Sequence, residues 1–273
     1  MAVCLGMENG RETAMDHQVT SRDGTRLAYA RTGEGPPLVL VSGAMSTGAT
    51  LAPLAARLAG RFDVLVPDRR GRGASGDTAP YAVEREVEDI AALIGAAGGG
   101  AALYGVSSGA ALALEAAASG LPVTRVAVYE PPFALSDEGA EERAAYTARL
   151  TEALDQGRRG DAVELFLALT GLAPAMIAHA RTSPMWPDME AIAPSLAHDD
   201  AVMAGGRVPV ERLAAITAPV LALAGGASPA WMREAARATA DAAPEGAYRC
   251  LADQTHLVDP DVLAPELVEF LTG

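Results

Sequence analysis

The sequence is short of basic residues. It has 21 Lys and Arg against 35 Asp and Glu, which gives a formal net charge of −14 at pH 7. Nucleic acids and anionic membranes both repel such a chain, so we expect neither as a partner. The excess of acidic residues is typical of a surface that keeps a protein in solution.

Aromatic residues, cysteine and histidine are also scarce. Aromatics make up 4% of the chain while half of it is apolar, so we expect a core of Ala, Leu and Val. A chain of 273 residues is long enough to form a stable core without disulfides or structural metal ions. Cys4 and Cys250 do not make a disulfide framework. The four histidines are scattered and lack metal-ligand spacing, so we expect no metal.

Long apolar runs are absent from the sequence. No run approaches the ~18 residues of a membrane-spanning helix. The first residues, MAVCLGMENGRETAM, lack the basic and apolar regions of a signal peptide. We therefore expect a cytoplasmic protein with no membrane partner, whose residues 1–16 form a disordered tail. The sequence leaves a homodimer open.

Short apolar runs alternate with amphipathic segments along most of the chain. PPLVLVSGA (36–44) and AALYGV (101–106) have the continuous apolar character of buried parallel strands. Residues 81–99 have helical spacing, and Asp23-Gly24 between two alternating runs is a hairpin signal. This order predicts an α/β fold with a mostly parallel, doubly wound sheet.

Residues 134–215 interrupt the alternation, because they contain helical segments only, broken by Gly and Pro. The sequence thus predicts a core formed by residues 17–133 and 216–273, with an inserted helical lid at 134–215. We expect this lid over the carboxyl edge of the sheet, where ligands bind in open α/β sheets.

The segment GVSSGA (105–110) lies between a predicted strand and a predicted helix. Gly105 and Gly109 carry no side chains where the turn must be tight. Such a turn presents the hydroxyl of Ser107 as a nucleophile and directs the amide of Ser108 at a developing oxyanion. A second donor is expected from the loop VLVSGAM, at the backbone N–H of Ala44.

A serine hydroxyl is a weak nucleophile and needs a base. His256 is in DQTHLVD, after the last predicted strand. We expect it to lie at the same edge of the sheet as Ser107. His179 and His198 fall in the predicted lid and His17 precedes the first strand, so we interpret these three as structural or surface residues.

The chain resembles the α/β-hydrolase family with a helical lid, over about residues 17 to 272. The resemblance depends on LVLVSGA, VPDRRGRGASG, GVSSG, YEPPF and QTHLVDP, which occur in the order typical of the family. It implies the α/β-hydrolase fold and a serine hydrolase or esterase that needs no cofactor.

Two positions depart from the family pattern. Ser42-Gly43 stands where relatives often have His-Gly, which should leave the oxyanion amide intact. Ser228, in GGASP, stands where the family usually has its catalytic Asp. Some relatives carry the acid one strand earlier, at a position that here holds Glu130. We rank Glu130 first, no acid second and Asp253 third. The alternative partner of Glu130 is an arginine such as Arg125, Arg70 or Arg72.

An apolar substrate pocket is the last expectation. Its predicted lining is Met45, Met176, Met185, Trp186 and Met189, although packing explains most of these residues equally well. The function expected is hydrolysis of an ester, lactone or thioester of a small, largely apolar molecule through a Ser107 acyl-enzyme. A lyase or cyclase on the same scaffold, or a non-catalytic binding protein, stays open because of Ser228.

Overall fold

The computed structural model describes residues 15–273. Residues 1–14 of the predicted tail (1–16) therefore lie outside the described residues. No helix within the described range is both long enough and apolar enough to cross a lipid bilayer.

Strands alternate with helices, as the apolar pattern predicts. Within residues 15–273 the strands are β1 (His17–Thr20), β2 (Arg26–Thr32), β3 (Pro37–Val41), β4 (Asp63–Pro67), β5 (Ala101–Val106), β6 (Val123–Tyr129), β7 (Val220–Gly225) and β8 (Gly246–Leu251). The helices of the core are α1 (Ala52–Leu58), α2 (Val83–Ala96), α3 (Ser108–Ala118), α10 (Ala230–Ala242) and α11 (Pro260–Thr272), while α4 to α9 lie between β6 and β7.

The strands form one sheet in the order β1-β2-β4-β3-β5-β6-β7-β8. The β1–β2 and β2–β4 pairs are antiparallel and the others are parallel. Gly24 has a φ of 89° in the β1–β2 turn, and the Asp23 carboxylate accepts the N–H of Thr25 at 2.9 Å. The predicted hairpin and the mostly parallel sheet are both confirmed.

Apolar side chains cover both faces of the sheet. On one face, side chains of α2, α3 and α10 pack against alternate residues of the central strands. On the other face, α1 and α11 pack against the remaining alternate residues. A strand buried on both faces has no polar side to present, which explains why β3 and β5 read as unbroken apolar runs.

Six helices within residues 134–215 form the segment that we call the helical insertion. They are α4 (Asp137–Asp155), α5 (Arg159–Leu169), α6 (Pro174–Ala180), α7 (Trp186–Ile192), α8 (Leu196–Val202) and α9 (Val210–Leu213). Helices α4, α5 and α7 share a small apolar core of their own, against which Ala44 and Met45 of the sheet edge pack. The insertion therefore lies on the loop that follows β3.

Candidate active site

Ser107 forms a sharp turn between β5 and α3. Its backbone is in a strained, left-handed conformation, with φ 56° and ψ −126°. A Cβ at position 105 would lie 2.3 Å from the carbonyl oxygen of Gly109, and a Cβ at position 109 would lie 2.4 Å from that of Val41. Both flanking glycines are thus required by backbone contact, as expected for a nucleophile elbow.

The loop after β3 lies directly beside this serine. A Cβ added to Gly43 would come within 3.0 Å of the Ser107 Cβ and 3.7 Å of its Oγ. Within residues 15–273, the backbone N–H groups of Ala44 and Ser108 donate to no protein acceptor. Two free donors next to a serine hydroxyl fit the requirements of an oxyanion hole.

Glu130 and His256 form a hydrogen-bonded pair at the same edge of the sheet. The Oε2 atom of Glu130 lies 2.7 Å from Nδ1 of His256. The Glu130 side chain is fully buried, whereas that of His256 is 27% exposed. A carboxylate only accepts hydrogen bonds, so Nδ1 carries the proton and Nε2 is left with its lone pair.

Strand register explains how Glu130 reaches the site. Val106 pairs with Tyr129, so the next residues, Ser107 and Glu130, follow adjacent strands at the same level. The backbone N–H of Gly225 donates to Oε1 of Glu130 at 2.8 Å, which leaves Oε2 for His256. The carboxylate is therefore held on both oxygens.

The loop that carries His256 is tied to β6 and β7. The hydroxyl of Tyr129 donates to the carbonyl of Thr255 at 2.6 Å. The N–H of Ala227 donates to the carbonyl of Gln254 at 2.8 Å. Sequence reasoning did not single out Tyr129, because only its contact with a loop 126 residues away shows its part in placing the histidine.

The other candidates for the acid lie elsewhere. Asp253 is exposed in the turn after β8. Ser228 is buried, and within residues 15–273 its hydroxyl has no hydrogen-bond partner. The arginines considered as partners of Glu130 have other partners: Arg70 pairs with Asp89, Arg72 with Asp199, and the guanidinium of Arg125 lies over the ring of Phe270. Of the remaining histidines, His179 and His17 are exposed and His198 is buried in α8.

A buried charge network lies beneath the Ser107 turn. The guanidinium of Arg69 forms a two-point ion pair with Glu86. Asp199, on α8, binds both Arg69 and Arg72. Burial by itself raises the pKa of the Asp199 carboxyl, but Arg72 and Arg69 lower it more, so the net pKa lies below its ordinary value. Nothing in the local sequence of Asp199 signals this contact.

The predicted pocket residues occupy different surroundings. Met45, with a φ of 53°, and Met189 pack at the edge of the insertion core. Trp186 lies inside that core, 3.6 Å from where a Cβ of Gly160 would be. Met176 is 52% exposed on α6. The structure thus brings Met45 and Met189 to the same apolar cluster and leaves Met176 at the surface.

A separate groove lies within the helical insertion and has no lining residue from the core. It lies between α4, α5 and α6 and has a volume of about 830 Å³, and Ser107 is not among its lining residues. Charged side chains line much of it, Glu142 and Arg149 among them. We therefore place no reacting group in this groove.

The sequence profile of a protein family described as the alpha/beta hydrolase family matches residues 38–266 of the chain. This protein belongs to the alpha/beta hydrolase family. The match includes the Ser107 turn, Glu130 and His256, so the residues described above lie inside the segment shared with other members.

The chain is similar to a solved structure over most of its length and to a curated protein over about half of it. A crystal structure of an alpha/beta hydrolase from Sphaerobacter thermophilus is 53% identical, with a TM-score of 0.85, over 93% of this chain and 100% of that one. N-formylmaleamate deformylase of Pseudomonas putida is 36% identical over 159 residues, 54% of this chain and 58% of that relative. The matched segment thus spans less than two thirds of the length of this curated relative.

An enol-lactonase from Burkholderia xenovorans has the same fold. It is 24% identical, with a TM-score of 0.71, over 94% of this chain and 100% of that one. Because the identity is low, this likeness concerns the fold alone.

Proposed function

We propose that this alpha/beta hydrolase is a serine hydrolase that cleaves an ester, lactone or thioester of a small, largely apolar substrate. Ser107 Oγ attacks the carbonyl carbon while His256 Nε2 takes its proton. The N–H groups of Ala44 and Ser108 bind the oxyanion. His256 then protonates the leaving group, and water releases the acyl group from Ser107 by the same steps.

One observation carries the proposal: the 2.7 Å contact between the buried Glu130 carboxylate and Nδ1 of His256. It supplies the acid that position 228 lacks, and it selects the tautomer of His256 that can accept a proton at Nε2. Without such a partner, the loss of Asp at position 228 favours a binding protein or a non-hydrolytic enzyme.

We further propose that the helical insertion acts as the lid and sets the choice of substrate. Its apolar core packs on Ala44 and Met45, beside the predicted oxyanion donor. An acyl or alkyl group attached to a carbonyl at Ser107 would lie against these side chains. The half-buried methionines adapt easily to such groups, because the thioether chain is flexible.

The test is the reaction of Ser107 with a fluorophosphonate probe, together with the turnover of p-nitrophenyl esters and lactones. The wild type should be labelled at Ser107. Ser107→Ala should lose the label and at least ~10⁴-fold of the turnover, because the three groups act as a unit. Ser119→Ala, on the exposed end of the same helix, is the matched control. Near wild-type turnover by Ser107→Ala would overturn the proposal.

The relation to N-formylmaleamate deformylase favours a second candidate, the removal of an N-formyl group. The same residues suit this reaction, since His256 can protonate a nitrogen leaving group as it does an oxygen. Adding N-formylmaleamate to the ester and lactone panel distinguishes the two, because the ratio of kcat/KM values between the substrates reports the preferred leaving group.

A further inference from the structure

One oxygen atom of the helical insertion binds a residue of the predicted oxyanion hole and an arginine that binds the loop carrying the other donor. Oδ1 of Asp199 accepts the hydroxyl of Ser108 at 2.6 Å and Nη2 of Arg72 at 2.6 Å. It also accepts Nη1 of Arg69 at 2.7 Å. Ser108 is the residue whose backbone N–H is one of the two expected donors.

Arg72 connects Asp199 to the other donor. Its Nη1 donates to the carbonyl oxygen of Gly43 at 2.6 Å, and the same oxygen accepts the hydroxyl of Ser46 at 2.7 Å. The Gly43 carbonyl and the Ala44 N–H belong to one planar trans peptide, so they point in opposite directions. Fixing the carbonyl on its protein side therefore fixes the direction of the N–H toward Ser107.

We propose that Asp199 is a positioning residue: through Ser108 directly and through Arg72, it sets the two oxyanion-binding N–H groups. This inference depends on the serine hydrolase function proposed above. It makes the docking of α8 a condition for an ordered oxyanion hole, since Asp199 belongs to the helical insertion and its partners belong to the core.

The charges of the network show why no other residue replaces Asp199. Arg69 and Arg72 are both buried, and Glu86 pairs with Arg69 through two hydrogen bonds. Asp199 is the carboxylate bound to Arg72. A neutral residue at position 199 leaves a buried guanidinium without a counter-ion, and such a group reorganises its surroundings.

The first experiment compares Asp199→Asn with the wild type on p-nitrophenyl acetate. Removing an oxyanion donor costs about 10²–10³ in kcat. Misplacing the donors should cost less, roughly 10-fold to 10²-fold in kcat with little change in KM, because the interaction is made in the transition state. Hydrogen exchange of residues 42–48 should become faster, which reports the order of this loop without any turnover.

The matched control is Asp89→Asn. Asp89 forms a two-point ion pair with Arg70, in the same arginine-rich loop and equally buried, but it contacts neither Gly43 nor Ser108. This variant also removes a carboxylate from a buried guanidinium, but Arg70 keeps Asp23 as a second partner at 2.9 Å. A loss of stability should therefore appear in both variants and be smaller in Asp89→Asn. Only Asp199→Asn should lower kcat and speed exchange at residues 42–48.

Ser46→Ala tests the same peptide without changing a charge, so it should fold even if Asp199→Asn does not. It removes one of the two hydrogen bonds to Gly43, and we expect a several-fold fall in kcat with unchanged KM. If both variants keep kcat and the exchange pattern of the wild type, the positioning role is wrong. If the wild type neither turns over esters nor reacts with the fluorophosphonate, the proposed function fails, and exchange alone decides whether Asp199 orders this loop.

Discussion

Three residues with left-handed backbones meet at the carboxyl edge of the sheet. Ser107, Glu130 and Met45 have φ values of 56°, 47° and 53°. Each such conformation costs a non-glycine residue about 1–3 kcal/mol, and it persists only where the surrounding structure holds it. Here the surroundings are β5, β6 and the loop after β3, which hold the three residues at one edge of the sheet.

The role of Glu130 can be tested by Glu130→Gln. A glutamine keeps an oxygen for the N–H of Gly225, but its amide can donate to Nδ1 of His256 and so select the wrong tautomer. We expect kcat for p-nitrophenyl acetate to fall by about 10³–10⁴, with the fold retained as judged by circular dichroism.

Asp253→Asn is the control for that substitution. Asp253 is exposed and has a φ of 59°, a conformation that asparagine tolerates well. Its kcat should equal that of the wild type. A large loss in Asp253→Asn together with a small one in Glu130→Gln would assign the acid to the turn after β8.

At the scale of elements, the helical insertion meets the core at two kinds of surface. Its apolar side packs on the loop after β3 through Ala44 and Met45. Its charged side, through Asp199 on α8, enters the network under α3. The first surface suits an adaptable substrate pocket, and the second requires a fixed geometry.

Substitution of Met45 and Met189 by Ala should change the chain-length preference. The space of a lost side chain accepts a longer acyl group, and one methylene in an apolar pocket changes kcat/KM by roughly 10-fold to 200-fold. The measurement is kcat/KM for p-nitrophenyl acetate, butyrate and hexanoate.

Met232→Ala, buried in α10, is the control for the same chemical change in the core. It should lower the melting temperature without altering the order of the substrates. Unchanged substrate profiles for Met45→Ala and Met189→Ala would show that these side chains serve packing only.

At the scale of the whole molecule, the buried network links the insertion to the core in a pH-dependent way. The pKa of Asp199 lies below its ordinary value of 3.8: burial opposes this, but Arg72 and Arg69 outweigh it. Burial also raises the pKa of the Glu86 carboxyl, but Arg69 lowers it more, so that this pKa lies below its ordinary value of 4.5. A carboxylate with a lowered folded pKa stabilises the fold above its unfolded pKa and loses that contribution as the pH falls through the folded value.

Asp199→Asn should therefore be less stable than the wild type at neutral pH, by about 3 kcal/mol. The difference should shrink as the pH falls below 3.8 and through the lower folded pKa of Asp199, because the wild type then loses the same contribution. Urea unfolding at several pH values measures this. Asp261→Asn is the control: Asp261 pairs with Arg57 at the surface, where the pair adds little. A difference that stays constant with pH would contradict the assignment.

The sequence by itself determined the strands, the hairpin and the helix boundaries named here. Unbroken apolar runs predicted β3 and β5, and Asp23-Gly24 predicted the hairpin. Gly and Pro predicted the breaks between helices of the insertion, such as Gly157 between α4 and α5. These features are local, since they depend on side-chain period and on the backbone freedom of single residues. The turn at Ser107 was predictable for the same reason.

Only the tertiary structure decided which distant groups meet. Glu130 could be ranked from its place at the end of β6, but its contact with His256 depends on strand register and on a loop held by Tyr129. Asp199 carried no signal, because it joins Ser108 and Arg72 from 91 and 127 residues away. Local pattern sets the period of a strand or helix, whereas the partner of a buried charge is set by the packing of whole elements, which no short segment encodes.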